Sequence, residues 1–331
     1  KARATIFQRP PLDQFPVPPA MSNKIKRTFG EALTPLQVVE RIVADVRSKG
    51  DQALLDYTRL IDGVEISTLE VSAQDIKAAK VDKELHSALE LAAERIRSFH
   101  QNLVPKTTLD FAEGGLGRLI RPLDRVGIYV PGGTAAYPST VLMTAIPARV
   151  AGVKEIIITT PPGKQGTVPA SLLVAARLAG VDRIFRVGGA QAIAAMAWGT
   201  RTIPKVDKIC GPGNIFVMLA KKTVYGTVAI DGLYGPTETV ILADDSADPA
   251  LCAADLLAQA EHDPMASALM VTTSTTLSKK VSREVEKQLK SLERQQIARE
   301  SIKTRGGIAV VDTLEEAIDL VNHYAPEHLC L

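Results

Sequence analysis

The chain has 331 residues, with 39 Lys and Arg against 37 Asp and Glu, for a net charge of +2. That length supports about two domains with a sizeable core, and the near balance of charge gives no argument for a nucleic-acid or anionic-membrane partner. Hydrophobic residues make up 46% of the chain, yet no apolar run approaches the roughly 20 residues that span a bilayer. The three cysteines, Cys210, Cys252 and Cys330, are odd in number and far apart. They argue against a disulfide framework or zinc held by Cys pairs, and fit a reducing compartment: the cytoplasm, or a plastid in a plant.

Lys1–Gly30 holds five prolines and little periodicity, and reads as an extended arm without the apolar core of a signal peptide. Thr34-Pro35 is a helix start with a capping hydroxyl. Val38, Val39, Ile42, Val43 and Val46 follow at helical spacing, and Gly50 ends the helix. A shorter helix is expected over Asp51–Ile61, another from Ser72, and a long one over Asp82–Leu103, with His86 and His100 as polar helix residues. The Gly-containing stretch between Leu109-Asp110-Phe111 and Leu119-Ile120 predicts a hairpin.

From Val126 onward, strands alternate with helices. Strands are expected at Val126–Val130, Glu155–Thr160, Arg183–Val187 and Lys208–Cys210. Helices are expected at Ser139–Gly152, Val168–Gly180, Ala190–Trp198 and Ile215–Tyr225. The alternation restarts after Gly232–Glu238. Strands are then expected at Thr239–Ala243, Ser267–Thr273 and Gly307–Val311, with helices at Asp248–His262, Thr276–Leu292 and Thr313–Tyr324. Glu293–Arg305, dense in charge, reads as a solvated helix end and loop. The expected class is α/β: two Rossmann-like parallel-sheet units with an N-terminal helical region and an extended arm. The expected division is arm 1–30, helical region 31–125 packed on the second α/β unit, first unit 126–236, and second unit 237–331, ending short of a full domain.

Ligands of open parallel sheets bind beyond the carboxyl ends of the strands. Four Gly-rich turns are expected there: Gly132-Gly133, Gly188-Gly189, Gly211–Asn214 and Gly235-Pro236. Glycine lets backbone N–H groups approach a ligand, and the helix N-termini that follow favour anions. The dinucleotide fingerprint G-x-G-x-x-G is absent. Tyr129, Gln191, Asn214, Thr237 and Glu238 cluster at the same turns, although Asn214 and Thr237 also read as turn caps. Gln259 and His262 lie one helical turn apart, which fits either two metal ligands or a plain helix end. Glu327-His328 follows Pro326 just past a helix end and offers a carboxylate beside an imidazole for proton transfer. A polar loop is the plainer reading of that pair. Cys210, beside a Gly-rich turn and a helix N-terminus, is a rival nucleophile or a buried strand cysteine.

Taken together, Val126–Gly133, V-G-G-A-Q-A-I at Val187–Ile193, V-D-K-I-C-G-P-G-N at Val206–Asn214, Gln259–Pro264 and A-P-E-H-L at Ala325–Leu329 resemble the histidinol dehydrogenase family. The resemblance runs from Gly50 to Leu329. It implies a zinc- and NAD-dependent homodimer that oxidises L-histidinol to L-histidine through L-histidinal with two NAD, the last step of histidine biosynthesis. It assigns Tyr129, Gln191 and Asn214 to NAD, and Thr237, Gln259, His262 and His328 to substrate. Gln259 and His262 become zinc ligands, and Glu327 and His328 the proton-transfer residues. The turn I-D-G-L-Y-G-P-T-E departs from the family's usual I-D-M-P-A-G-P-S-E, so Tyr234 and Thr237 leave room for another polar alcohol as substrate. Family members continue beyond A-P-E-H-L into a segment whose Asp and His complete the zinc shell across an intertwined dimer. The expectation is a chain that ends before that segment, or a divergent, inactive relative with an incomplete metal site.

Overall fold

The structure is a computed structural model that describes Phe7 and residues 17–104, 109–111, 114–132 and 137–331, with 109–111 described by backbone alone. Expectations for residues 1–6 and 8–16, Thr107-Thr108 and Gly133 fall outside it. Two compact units divide between Tyr234 and Gly235. Phe7 belongs with the C-terminal one.

The N-terminal unit begins with five helices: α1 (Pro19–Phe29), α2 (Pro35–Lys49), α3 (Asp51–Tyr57), α4 (Ala73–Ala78) and α5 (Lys83–Gln101). Two departures from expectation occur here. Residues 19–29 are helical rather than an extended arm, closed by Gly30 at φ 78°. The proline-poor half of that stretch carries a helix although it buries only Ile25, so its apolar periodicity is too sparse to read. The short helix after Gly50 passes into a π-helical turn, Thr58–Asp62. Thr34 caps α2 as expected, in a reciprocal box with Gln37.

A two-stranded antiparallel hairpin, β1 (Leu109–Phe111) and β2 (Gly117–Leu119), precedes the alternating series. The series runs β3 (Arg125–Tyr129), α6 (Pro138–Val150), β4 (Glu155–Thr160), α7 (Ala170–Ala179), β5 (Arg183–Arg186), α8 (Gly189–Trp198), β6 (Lys208–Cys210), α9 (Ile215–Val224) and β7 (Ala229–Ile230). The five strands pair in parallel in the order β5-β4-β3-β6-β7. Ile156, Ile157 and Ile158 are wholly buried, as expected of strands covered on both faces. The chain builds outward from β3 to β5, then returns to β6 beside β3. That reversal is the switch point where such sheets bind ligands.

The helical region, expected to go with the second α/β unit, belongs to the N-terminal unit. Helix α2 lies against α8 and α9, and α5 against α6 and α7. The valine and isoleucine stripe of α2 is buried there and leaves no second apolar face.

The C-terminal unit runs β8 (Glu238–Ala243), α10 (Pro249–Ala260), β9 (Ser267–Thr272), α11 (Thr275–Gln288), α12 (Gln295–Arg305), β10 (Gly307–Val310), α13 (Leu314–Tyr324) and β11 (His328–Cys330). Its four strands pair in parallel as β10-β9-β8-β11. Helix α12 replaces the expected solvated loop. Ala298 and Ser301 are wholly buried, and the Ser301 hydroxyl donates to the Ala266 carbonyl at 2.9 Å. Two small residues seat a helix whose charges dominate its sequence. Phe7 is buried edge-on against Tyr324 at 5.5 Å. Among the described residues no helix is long and apolar enough to cross a membrane.

Phe185 anchors the edge of the first sheet: it is wholly buried, the Arg183 guanidinium lies 4.9 Å from its ring, and its backbone bridges Glu70. Phe185→Ala should lower unfolding stability by about 3–5 kcal/mol in a denaturant titration.

Candidate active site

Two clusters emerge, one in each unit. In the N-terminal unit, three of the expected Gly-rich turns lie at carboxyl ends of strands around the switch point: Gly132 after β3, Gly188-Gly189 after β5 and Gly211–Asn214 after β6. The fourth, Gly235-Pro236, leads into the amino end of β8 in the other sheet. The expectation that all four share one sheet edge is corrected. Strand direction, which decides the edge, is a property of the tertiary fold.

Tyr129 ends β3, is 4% exposed, and its hydroxyl accepts the Gly189 N–H at 3.1 Å. Burial pushes that hydroxyl up to about 12, against the opposing effect of the Gly189 N–H. Gln191 sits in the first turn of α8 with no exposure, and both its side-chain oxygen and nitrogen lack a partner among the described residues. Gly188 starts that helix without a side-chain cap, so N–H groups remain for an anion. Asn214 caps α9: its Oδ1 accepts from the N–H groups of Phe216 at 3.0 Å and Val217 at 3.2 Å. The capping role read from sequence is therefore present.

The turn at Gly211 is held by a partly buried ion pair that sequence reading did not single out. Lys221, 2% exposed, pairs with Asp231, and its ammonium also donates to the Gly211 carbonyl at 2.9 Å. Asp231 accepts the Gly211 N–H at 2.7 Å and the Gly232 N–H at 2.8 Å. The Tyr234 ring lies 5.4 Å from the same ammonium. Gly211 adopts φ 113°, and a side chain there would meet the Tyr129 carbonyl oxygen at 2.1 Å. Only glycine fits this contact. The surroundings of Cys210 disfavour the thiolate that a nucleophile needs. Burial, then the Asp231 carboxylate, push its thiol up to about 11, so the lowered value expected beside a helix N-terminus is reversed.

In the C-terminal unit, residues far apart in sequence meet at the amino ends of the parallel strands. Thr237 precedes β8, Gln259 is in the last turn of α10 before β9, and Glu327-His328 begins β11. The Thr239 hydroxyl donates to Gln259 Oε1 at 3.1 Å. Gln259 Nε2 donates to the Thr237 hydroxyl. Thr237 in turn donates to Glu327 Oε2 at 3.1 Å. Gln259 and Thr237 each accept from the group behind and donate to the one ahead, and the chain ends on the Glu327 carboxylate. Gln259 is buried, which fixes its amide by this network.

His328 Nε2 lies 3.9 Å from the same Glu327 oxygen. His328 is not a loop residue as expected: it opens β11 and pairs with Thr239 of β8. Ala325, which caps α13, has φ 50° and is the non-glycine residue with positive φ among the described residues. That turn aims the following Pro326-Glu327 back toward β8. His262 lies beyond the end of α10, is exposed, and its carbonyl accepts from Arg294 at 3.4 Å. The expectation of Gln259 and His262 on one helical face is corrected to a helix end and the turn after it. His86 pairs with Glu90 at 3.3 Å, and His100 packs edge-on against Phe99. Neither joins a cluster.

The unpartnered, buried Gln191 amide beside an uncapped helix start fits a dinucleotide at the first sheet. An amide oxygen at Gln259 and an imidazole at His262 suit zinc in type, but make up half of a four-ligand shell. The described residues contain no group of three His, Cys, Asp or Glu placed to hold a metal. Thr239 was not expected in the cluster. Its only sequence signal was position, two residues after Thr237 on an alternating strand.

Gly211→Ala should lose on the order of 3 kcal/mol of unfolding stability, read as a shifted denaturant midpoint, because strain at φ 113° adds to the clash with Tyr129.

The histidinol dehydrogenase family model matches residues 26–331. Histidinol dehydrogenase from Deinococcus radiodurans is 52% identical over the whole of this chain and 76% of its own length. The Dehalococcoides mccartyi enzyme is 56% identical, covering 93% of this chain and 71% of the relative. The crystal structure of histidinol dehydrogenase from Elizabethkingia anophelis superposes with a TM-score of 0.85 at 37% identity, over 99% of this chain and 72% of that one. With these matches along nearly all its length, the chain belongs to the histidinol dehydrogenase family.

Proposed function

We propose that this chain binds NAD along the carboxyl edge of its first sheet, through Tyr129, Gln191 and Asn214, and handles L-histidinol with Thr237, Gln259, His262, Glu327 and His328. The reaction is the four-electron oxidation of L-histidinol to L-histidine by way of L-histidinal. The observation that carries the reading is the directed hydrogen-bond chain from Thr239 through Gln259 and Thr237 to Glu327, beside His328.

Tyr129, Gln191 and Asn214 would hold NAD, which would supply the hydride acceptor for each of the two oxidations. Gln259 and His262, with further donors, would hold zinc, which would supply a Lewis acid. In the first step the His328 imidazole takes the carbinol hydroxyl proton as hydride leaves the same carbon. In the second, Glu327 takes a proton from the water that adds to the aldehyde, and the resulting diol loses the second hydride. Thr237 occupies one Glu327 oxygen, which leaves the other to receive that proton. Because Thr237 itself accepts from Gln259, its hydroxyl proton is committed to Glu327 and orients the carboxylate before substrate arrives. A homodimer and a cytoplasmic setting belong to the same proposal. Sedimentation of the purified protein checks the first.

Purified protein supplied with zinc should reduce two NAD per histidinol consumed. Absence of turnover with histidinol, alongside turnover of another amino alcohol, would reject the substrate. His328→Gln should slow alcohol oxidation about 10²–10⁴-fold, the usual worth of a general base. It should act less on histidinal supplied directly, whereas Glu327→Gln should show the reverse pattern. Thr237→Val removes one hydroxyl at nearly constant volume. It should lower kcat about tenfold with little change in the NAD KM, and Thr237→Ser should restore it.

A further inference from the structure

Asp62 belongs to no element of the proposed chemistry, yet its place in the fold is unusual. The segment after the π-helical turn runs antiparallel to β5. Glu70 bridges Phe185, the Arg186 N–H donates to the Leu69 carbonyl at 2.7 Å, and the Val71 N–H donates to the Ile184 carbonyl at 2.9 Å. Traced back from Glu70, the chain therefore passes the carboxyl end of β5. The side chains of Val64 and Ile66 reach Gly166, in the loop that follows β4. Asp62 lies just before them, at the sheet edge that carries Tyr129, Gly189 and Gln191. Its negative charge acts on the Tyr129 hydroxyl.

The Asp62 Oδ2 atom is sealed from solvent and has no partner among the described residues. Three other elements leave buried polar atoms without a partner among the described residues at this edge: Thr160 at the end of β4, through its hydroxyl, Arg186 at the end of β5, through Nε, and Gln191 on α8, through both amide atoms. A fold tolerates one such group with difficulty. Four from four separate segments point to a ligand that satisfies them. The chemistry divides among them. The uncapped start of α8 suits an anion, and a carboxylate needs donors. In dinucleotide-binding sheets a carboxylate at the end of the neighbouring strand takes the ribose hydroxyls. Here that strand is β4, and it ends in Thr160-Pro161-Pro162-Gly163 with no acid.

We propose that Asp62 supplies from outside the sheet the carboxylate that β4 lacks, and that it accepts hydrogen bonds from ribose hydroxyls of the bound dinucleotide. This rests on the reading that NAD binds at the first sheet. Asp62 also works against folding. Burial raises its carboxyl to about 6 from 3.8, and Lys24 only partly opposes this. A raised carboxyl favours the protonated form in the fold, so stability is fullest below the unfolded value and declines as pH rises toward 6.

The test compares wild type, Asp62→Asn, Asp62→Ser and Gln191→Leu as full chains without substrate. NAD and ADP-ribose are titrated calorimetrically, and Tm is read from pH 4.5 to 7.5. Asp62→Asn should weaken both ligands about tenfold or more. Its Tm should equal or exceed that of wild type, with the gain growing up to about pH 7. A residue serving structure alone would lower Tm and leave affinity in place. Asp62→Ser repeats the measurement if the Asn variant does not fold. Unchanged NAD affinity in the Asp62 variants, with weakened affinity in Gln191→Leu, overturns the proposal and leaves the cofactor reading standing. Unchanged affinity in all three removes the cofactor reading as well.

Discussion

The arrangement of the C-terminal unit depends on a direction of hydrogen bonding. A hydroxyl both gives and receives, and an amide does the same through different atoms, so a chain of such groups has two possible senses. The Glu327 carboxylate, which only accepts when ionised, selects one. Thr237 must donate to it, Gln259 must donate to Thr237, and Gln259 then turns its oxygen toward Thr239. Four side chains from three elements are thus set by the charge of one. The same logic couples the metal-ligand candidate to the acid–base pair: the oxygen offered by Gln259 faces Thr239 because its nitrogen is engaged elsewhere.

The N-terminal unit relies on a different constraint. Lys221 is buried and Asp231 half-buried, and both are hydrogen-bonded to the backbone of the Gly211 turn. Buried ion pairs contribute little to net stability, but losing one partner is severe. Such a pair specifies a conformation more than it strengthens a fold. What it specifies is a turn whose glycine presses on the Tyr129 carbonyl, while the Tyr129 hydroxyl receives the Gly189 N–H. Three loops after three strands are fastened through one tyrosine.

Much of this was readable from residues alone, and the unread part has physical causes. Strands β3 to β5 announce themselves because parallel strands covered on both faces are apolar runs, and Thr34 announces α2 because its capping chemistry is local. Glu327, His328 and Gln259 stand out as candidates because short strings carry them. The bond between Thr237 and Glu327 spans 90 residues, and no local pattern encodes it. Helix α12 was missed because Ala298 and Ser301, the residues that seat it, are small and weakly apolar. Asp62 was passed over because an aspartate before a glycine reads as an ordinary turn. Only its enclosure distinguishes it.

The two sheets put their working groups at opposite strand ends, and this bears on how the protein can vary. Gly189 and Asn214 lie past strand ends, next to connections that can lengthen or shorten without shifting any ladder. His328 lies where a strand begins and is itself paired with Thr239, so inserting one residue before it would turn the following side chains to the other face. On the proposed assignment, divergence in nucleotide handling can accumulate through changes of loop length, whereas divergence in the alcohol accepted has to come from exchanging side chains at fixed spacing.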